Sequence, residues 1–328
     1  MMGRLKQYIL LLLLASCMLN AKAQQTIQLS QYMFNGLAIN PAYAGYKGDW
    51  TLNASSRLQW VGINDAPKTE TISGDGLFDG DDPNVGVGFI ATVDQLGPET
   101  NSSFYANYAY RIQMNDLDTK RLCFGIGVGV MDYSLDGSKF VDIDQGDEYV
   151  PITTESKLSP DFRVGAYYYT PNYYIGASVF NLASAALDKL SNSPDVIKPD
   201  RTVYFTAGGM IPVSDAIDLK PSFMVKEDFT GPTNIDLTAY LAFNEVLWVG
   251  GSYRVGAPGF NSTLQTNLNQ EDAAAAIVQV YINDNFRIGY AYDFTTSKLA
   301  SYQNGTHELS LSITFPSRKE RVVSPRYF

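Results

Sequence analysis

The sequence predicts an all-β protein, a transmembrane outer-membrane β-barrel of about 14 antiparallel strands, on three observations. Apolar and polar residues alternate with period two along most of the chain, short connections alternate with long ones, and the chain opens on an export signal. The composition agrees: the 328 residues are 45% hydrophobic and 13% aromatic but only 18% charged, with 22 tyrosines and 27 glycines. A formal charge of −10 argues against a basic nucleic-acid binder, and this apolar content against a disordered tail. After the first twenty residues no apolar run is long enough for a spanning helix.

The first element is the signal itself. Arg4 and Lys6 precede an apolar stretch, Tyr8 to Leu14, and a small-residue site, Ala21-Lys22-Ala23. Cleavage after Ala23 makes residues 1–23 a signal peptide and leaves 21 basic residues against 34 acidic ones. Leu14-Ala15-Ser16-Cys17 offers a second site resembling a lipoprotein box, at which Cys17 would be lipidated. With the cut at Ala23, Cys123 is the remaining cysteine and an intrachain disulfide is excluded. Residues 24–45 alternate too little for a spanning strand, yet carry Tyr32, Met33, Phe34, Leu37 and Ile39. They are expected to pack inside or below the barrel.

The barrel is assigned to residues 46–315, with strands at 50–60, 69–78, 85–94, 102–113, 120–134, 161–170 and 172–182 in its first half. The second half has strands at 201–212, 217–227, 233–243, 246–255, 274–283, 286–296 and 307–315. In the last of them Leu309, Leu311, Ile313 and Phe315 share one face, and Ser310, Ser312 and Thr314 the other. Outside the second strand the apolar faces carry almost no charge, as contact with outer-membrane lipid requires, since a midplane Lys or Arg costs about 2–4 kcal/mol. The opposite faces hold Arg57, Arg111, Arg163, Lys220, Lys226, Arg254 and Arg287 with Asp94, Asp236 and Asp293, which predicts a lumen of mixed charge. Trp50, Trp60, Trp248 and the clusters Tyr167-Tyr168-Tyr169 and Tyr173-Tyr174 fall near strand ends, where interfacial girdles lie, although aromatics also simply favour strands.

Long links fall at 135–160, 183–200, 256–273 and 297–306, each after an odd-numbered strand. Short ones fall at Pro171, 213–216, Asn244-Glu245 and Asp284-Asn285. Outer-membrane barrels have this rhythm, with short periplasmic turns and long extracellular loops. Both termini are then expected on the periplasmic side. A soluble sandwich would bury the same greasy face, but the loop rhythm favours the barrel.

Residues able to do chemistry are few. The single histidine, His307, stands beside Glu308, and a catalytic dyad there competes with a structural histidine at the barrel rim; no nucleophile elbow accompanies it. The expectation is no enzyme and no cofactor. One histidine and one cysteine cannot supply a four-ligand metal site. Asp142, Asp144, Asp147 and Glu148 gather in the longest outer loop, but Gly146 and Thr153 break the EF-hand pattern, leaving calcium as the lesser reading beside a solvated acidic loop. Asp79, Asp81 and Asp82 beside Pro83 read as a turn. Gly125, Gly127 and Gly129 alternate in a strand, thinning the lumen wall so that the N-terminal segment or a loop can approach it.

Two runs near the start are more specific: Gln31-Tyr32-Met33-Phe34-Asn35, then Asn40-Pro41-Ala42-Tyr43-Ala44-Gly45. Gln59-Trp60-Val61-Gly62, Ala66-Pro67, Asp161-Phe162, Tyr173-Tyr174-Ile175-Gly176, Lys220-Pro221-Ser222, Gly289-Tyr290-Ala291-Tyr292-Asp293 and Gly305-Thr306-His307-Glu308-Leu309 follow. Together they resemble the PorP/SprF family of type IX secretion membrane proteins of Bacteroidetes, over nearly the whole chain after the signal. Gly36 and Asp65 depart from the pattern, where a proline and a glycine are expected. The resemblance implies an outer-membrane component of the type IX secretion system that docks or retains secreted proteins at the cell surface through their C-terminal sorting domains, gliding adhesins among them in some relatives. It implies other secretion components and the substrate's C-terminal domain as partners. From the loop rhythm and charge, the expected docking surface is the outer rim with the long acidic loops 135–160, holding Asp136, Asp142, Asp144, Asp147 and Glu148, and 183–200; residues 316–328 are expected to form a basic periplasmic tail. The rival readings are a diffusion porin and a carrier of hydrophobic solutes with an N-terminal plug.

Overall fold

The computed structural model describes residues 27–79, 82–139, 153–183, 200–257 and 271–316. The signal peptide, the acidic cluster Asp142, Asp144, Asp147 and Glu148, and the basic tail beyond 316 lie outside the described residues.

Among the described residues, fifteen strand segments build the wall. The first half comprises β1 (Trp50–Leu58), β2 (Lys68–Leu77), β3 (Val85–Leu96), β4 (Glu99–Gln113), β5 (Arg121–Asp136), β6 (Thr154–Tyr169), β7 (Tyr173–Phe180) and β8 (Thr202–Gly209). The second comprises β9 (Ile211–Ser214), β10 (Ile217–Glu227), β11 (Thr233–Phe243), β12 (Leu247–Ala257), β13 (Glu271–Asn283), β14 (Phe286–Thr295) and β15 (Thr306–Phe315). Each pairs antiparallel with its neighbours and β1 pairs with β15, so the sheet closes on itself. Closure removes the edges that bare backbone would otherwise present to lipid.

The predicted strand 201–212 is two pieces, β8 and β9, both laddered to β10. The break is at Met210, whose N–H donates to the Asn172 carbonyl in the turn after β6 at 2.8 Å. Pro212 has no N–H to extend the ladder further. Counting β8 and β9 as one staff gives a 14-strand barrel, as expected. Trp50 opposite Phe315 marks the short-turn end and Leu58 opposite His307 the long-loop end. The β5–β6 hairpin, in register up to Asp136 opposite Thr154, rises at the long-loop end above β7, which joins β6 only from Val164 downward.

Alternation sends one face to lipid and one inward. Phe104, Phe124, Val128, Leu237 and Phe294 are about half exposed on the outside. Arg57, Arg111, Arg163, Lys220, Lys226, Arg254 and Arg287 are buried within, with Asp236 and Asp293. Among the described residues, charges on the lipid-side parity include Lys68 and Glu70 in β2, paired at 3.2 Å, and Asp132 and Asp136 in β5, all toward the long-loop end. The girdle expectation holds for Trp50 and Tyr173 and fails for Trp248, Tyr167, Tyr169 and Tyr174, which are buried in the lumen. Period-two geometry makes this unavoidable for adjacent tyrosines: Tyr167 and Tyr169 point in and Tyr168 out.

Candidate functional site

The lumen is filled from within by residues 27–48. Three short 3₁₀ turns, Tyr32–Phe34, Gly36–Ala38 and Pro41–Tyr43, fold the segment into a plug. Its apolar side chains Tyr32, Met33, Phe34, Leu37, Tyr43 and Tyr46 are each no more than 5% exposed. Phe34 meets Tyr240 and Trp248 edge-on at 5.3 and 5.7 Å between ring centroids, with the Arg287 guanidinium 4.5 Å from its ring. Tyr46 packs on Tyr43 at 5.0 Å and on Tyr169 at 4.7 Å. The inward tyrosines thus belong to a core shared by plug and wall.

The Asn40 to Gly45 motif is the hinge of this packing. Asn40 caps the third turn by accepting from the Ala42 N–H at 2.9 Å, and its amide donates to the carbonyls of Ala166 at 3.0 Å and Ala177 at 3.3 Å. One side chain therefore ties the plug to β6 and β7. Gly45 sits at φ +73° and donates its N–H to Asp75 at 2.9 Å. The wall glycines make room: a Cβ on Gly86 would lie 2.0 Å from the Ala44 carbonyl oxygen, and one on Gly125 2.2 Å from the Ala42 nitrogen. Of the three alternating glycines, Gly125 admits the plug as expected, whereas Gly127 and Gly129 face Asn107 and Tyr105 of the wall. Asn40→Ala leaves two wall carbonyls and a cap donor without their partner, so it should lower unfolding stability by about 2 kcal/mol. Denaturant titration of the barrel in detergent measures it.

The start of the plug is pinned by charge. Arg57 donates to Asp293 at 2.7 Å and to Glu308 at 2.9 Å, all three groups being buried. Glu308 also accepts the Ser30 and Gln31 N–H groups at 2.8 and 3.0 Å, and the Ser30 hydroxyl donates to Asp293. Arg254, paired with Asp236 at 2.8 Å, reaches Gln28. Arg57, Glu308, Asp293 and Arg254 all lie toward the long-loop ends of their strands. Trp50 and Phe315, the two ends of the barrel wall, lie at the short-turn end expected for the termini, whereas Ile27 to Ser30 lie at the opposite, long-loop end, against that expectation. The reason is this set of ionic anchors, which holds Ser30 and Gln31 there.

Above the plug, on the long-loop side, lies a vestibule of about 90 Å³, floored by Leu29, Tyr32 and Ile39 and walled by Asp94, Tyr133, Arg163, Phe180, Lys226 and Arg254. A larger concavity of about 550 Å³ is on the outside of the wall, over Ala54, Ser56, Ala91 and Ser102, and faces lipid. Its shape follows from small outward side chains, so the vestibule is the place where the outer loops and the lumen meet.

His307 and Glu308 do not form a dyad: they are strand neighbours on opposite faces. His307 Nδ1 is hydrogen-bonded to the Tyr290 hydroxyl at 2.7 Å on the lipid side, while Glu308 is the buried anchor above. Gln59 and Trp60 close the outer rim, with the Gln59 N–H on the Pro67 carbonyl at 2.9 Å and the Trp60 N–H on the Thr306 hydroxyl at 3.1 Å. Asp136 ends β5 and accepts from the Ser138 hydroxyl at 2.6 Å. Ser30 and Asp75 are site residues that the sequence reading did not single out, whereas Glu308 was read there as a neighbour of His307 and not as an anchor of the plug.

Comparison with curated proteins returns no match. Among solved structures the chain is similar to the Acinetobacter baumannii outer membrane protein Omp33, with TM-score 0.47 and 11% identity over 83% of this chain and 100% of that one. BamA from Haemophilus ducreyi gives TM-score 0.41 and 8% identity over 82% and 70% of the two chains, and a Rh. blastica porin mutant 0.34 and 8% over 81% and 99%. Residues 21–313 match the family of type IX secretion system membrane proteins PorP/SprF. The match spans signal-side residues, plug and all the strands, so the chain is an outer-membrane β-barrel and a member of the non-enzymatic PorP/SprF family of the type IX secretion system.

Proposed function

We propose that the chain docks or retains secreted proteins at the cell surface, through the C-terminal domains by which they are recognised, gliding adhesins among them. The observation that carries this reading is the plug: a barrel whose lumen is packed with buried aromatic side chains is suited to holding a partner at its outer face rather than to passing solutes. The raised β5–β6 hairpin, with Asp136 at its end, supports an outer rim as the docking surface, to which the acidic loops 135–160 and 183–200 would contribute. Other secretion components are the expected partners on the periplasmic side.

Deleting residues 138–152 and purifying the tagged barrel from its own outer membrane in mild detergent tests the reading. Mass spectrometry should find secretion subunits with both forms and a secreted protein with the intact form alone. Equal recovery of the secreted protein by both would remove the loop from the docking surface. Recovery of the bare barrel in each case would favour a pore or a solute carrier.

A further inference from the structure

Arg163, in the inner wall on β6, is 92% buried and lines the vestibule, yet among the described residues no carboxylate lies within ion-pair distance of it. The other buried arginines in the upper lumen, Arg57 and Arg254, are each paired with an aspartate. Arg163 is instead held by rings: its guanidinium carbon is 3.2 Å from the centroid of Tyr105 and 4.3 Å from that of Phe180. The Tyr105 hydroxyl is in turn fixed by donating to Asp161 at 2.8 Å. Nε of Arg163 has no hydrogen-bond partner, nor has either polar atom of the buried Asn107 amide, which sits across Gly127 from it. A guanidinium held against aromatic surface with its Nε–H unpartnered has a donor to offer a ligand, and the planar fork of which it is part matches a carboxylate.

We propose that Arg163 is the recognition group of a carboxylate-binding site, receiving a carboxylate of a polypeptide segment that enters the vestibule from the long-loop side. The site rests on the surface-docking reading, in that the segment belongs to a secreted protein. The aromatic clamp sets the fork in place before binding, so little side-chain entropy is lost when the ligand arrives. The plug residues Leu29 and Ile39 form a floor that stops the segment there.

The test uses the full chain in detergent and three peptide probes, tetra-alanine with a free C-terminus, the same peptide amidated, and an N-acetylated, amidated Ala-Asp-Ala. Titration calorimetry should show the amidated tetra-alanine binding at least tenfold more weakly than one of the carboxylate probes. Which carboxylate probe binds tells a chain terminus from an acidic side chain. Arg163→Gln should abolish the preference, and Arg163→Lys should weaken it several-fold, because an ammonium cannot replace the planar fork. Phe180→Leu, which keeps the charge and loosens the clamp, should weaken binding too, and it decides the matter if Arg163→Gln fails to fold. Equal binding of all three probes by the wild type, or an unchanged preference in Arg163→Gln, overturns the proposal. So does undiminished retention of the native secreted protein by a folded Arg163→Gln barrel, a result that leaves docking through the outer loops standing.

Discussion

Arg57→Ala should destabilise the barrel by about 3–5 kcal/mol, the range for removing one partner of a buried ion pair. The substitution strips the cation from two carboxylates at once, Asp293 and Glu308, both buried at 3% exposure or less. Two features hold the loss toward the lower end. Arg254 lies 3.8 Å from Asp293, and Glu308 keeps the Ser30 and Gln31 N–H donors. The triple substitution Arg57→Met, Asp293→Asn, Glu308→Gln should recover a large part of the loss, since neutral groups carry no comparable desolvation penalty. Guanidinium titration in detergent gives the energies. A single substitution costing under about 1 kcal/mol would mean that this cluster is hydrated in the folded protein. Because the same residues anchor Ser30 and Gln31, Arg57→Ala should also free the segment around 27–35 to protease while the wall stays resistant.

The wall was legible because its physics is local. Period-two alternation in Phe286 to Phe294 or Leu309 to Phe315 depends only on the strand and its two environments, and loop rhythm fixes which end is which. The break at Met210 was not legible, since it depends on the Asn172 carbonyl, far away in sequence. The same limit applied to aromatics. Trp248 at a strand end reads as an interface residue until one knows that Phe34 of the plug meets it edge-on inside. The plug itself showed as apolar residues with no strand pattern, a cue sufficient to place it in or below the barrel but silent on its ascent to the outer end. That ascent is set by Arg57, Asp293 and Glu308, whose mutual approach is a product of barrel closure. Arg163 was legible as a lumen cation, but not as one lacking a carboxylate, because pairing is a property of the finished fold.

Removing residues 27–45 should convert a sealed barrel into a conducting one. The wall ladder closes without the plug, through β1–β15 and β10–β11, so the barrel should persist. What is lost is the burial of Tyr32, Met33, Phe34, Leu37 and Tyr43, roughly 1.5–3 kcal/mol for each large apolar side chain. The polar inner wall, Arg57, Lys220, Arg254 and Arg287 among it, would then be rehydrated, since barrel diameter grows with strand number and a polar interior that nothing plugs fills with water. In planar bilayers the truncated chain should give discrete open-channel steps and the intact chain none. Gly86→Val gives the same answer without truncation: a side chain there meets the Ala44 carbonyl at 2.0 Å, closer than any packing allows, so the plug must leave its seat. Conductance of the intact chain equal to that of the truncated one would show that the plug does not seal the lumen, and would return the porin to first place. Silence from both would mean that the wall needs the plug to stay open, and circular dichroism of the truncated form would then show lost strand content. A sealed intact barrel and an open truncated one would separate transport from docking on the same wall, because only the residues that fill it would differ.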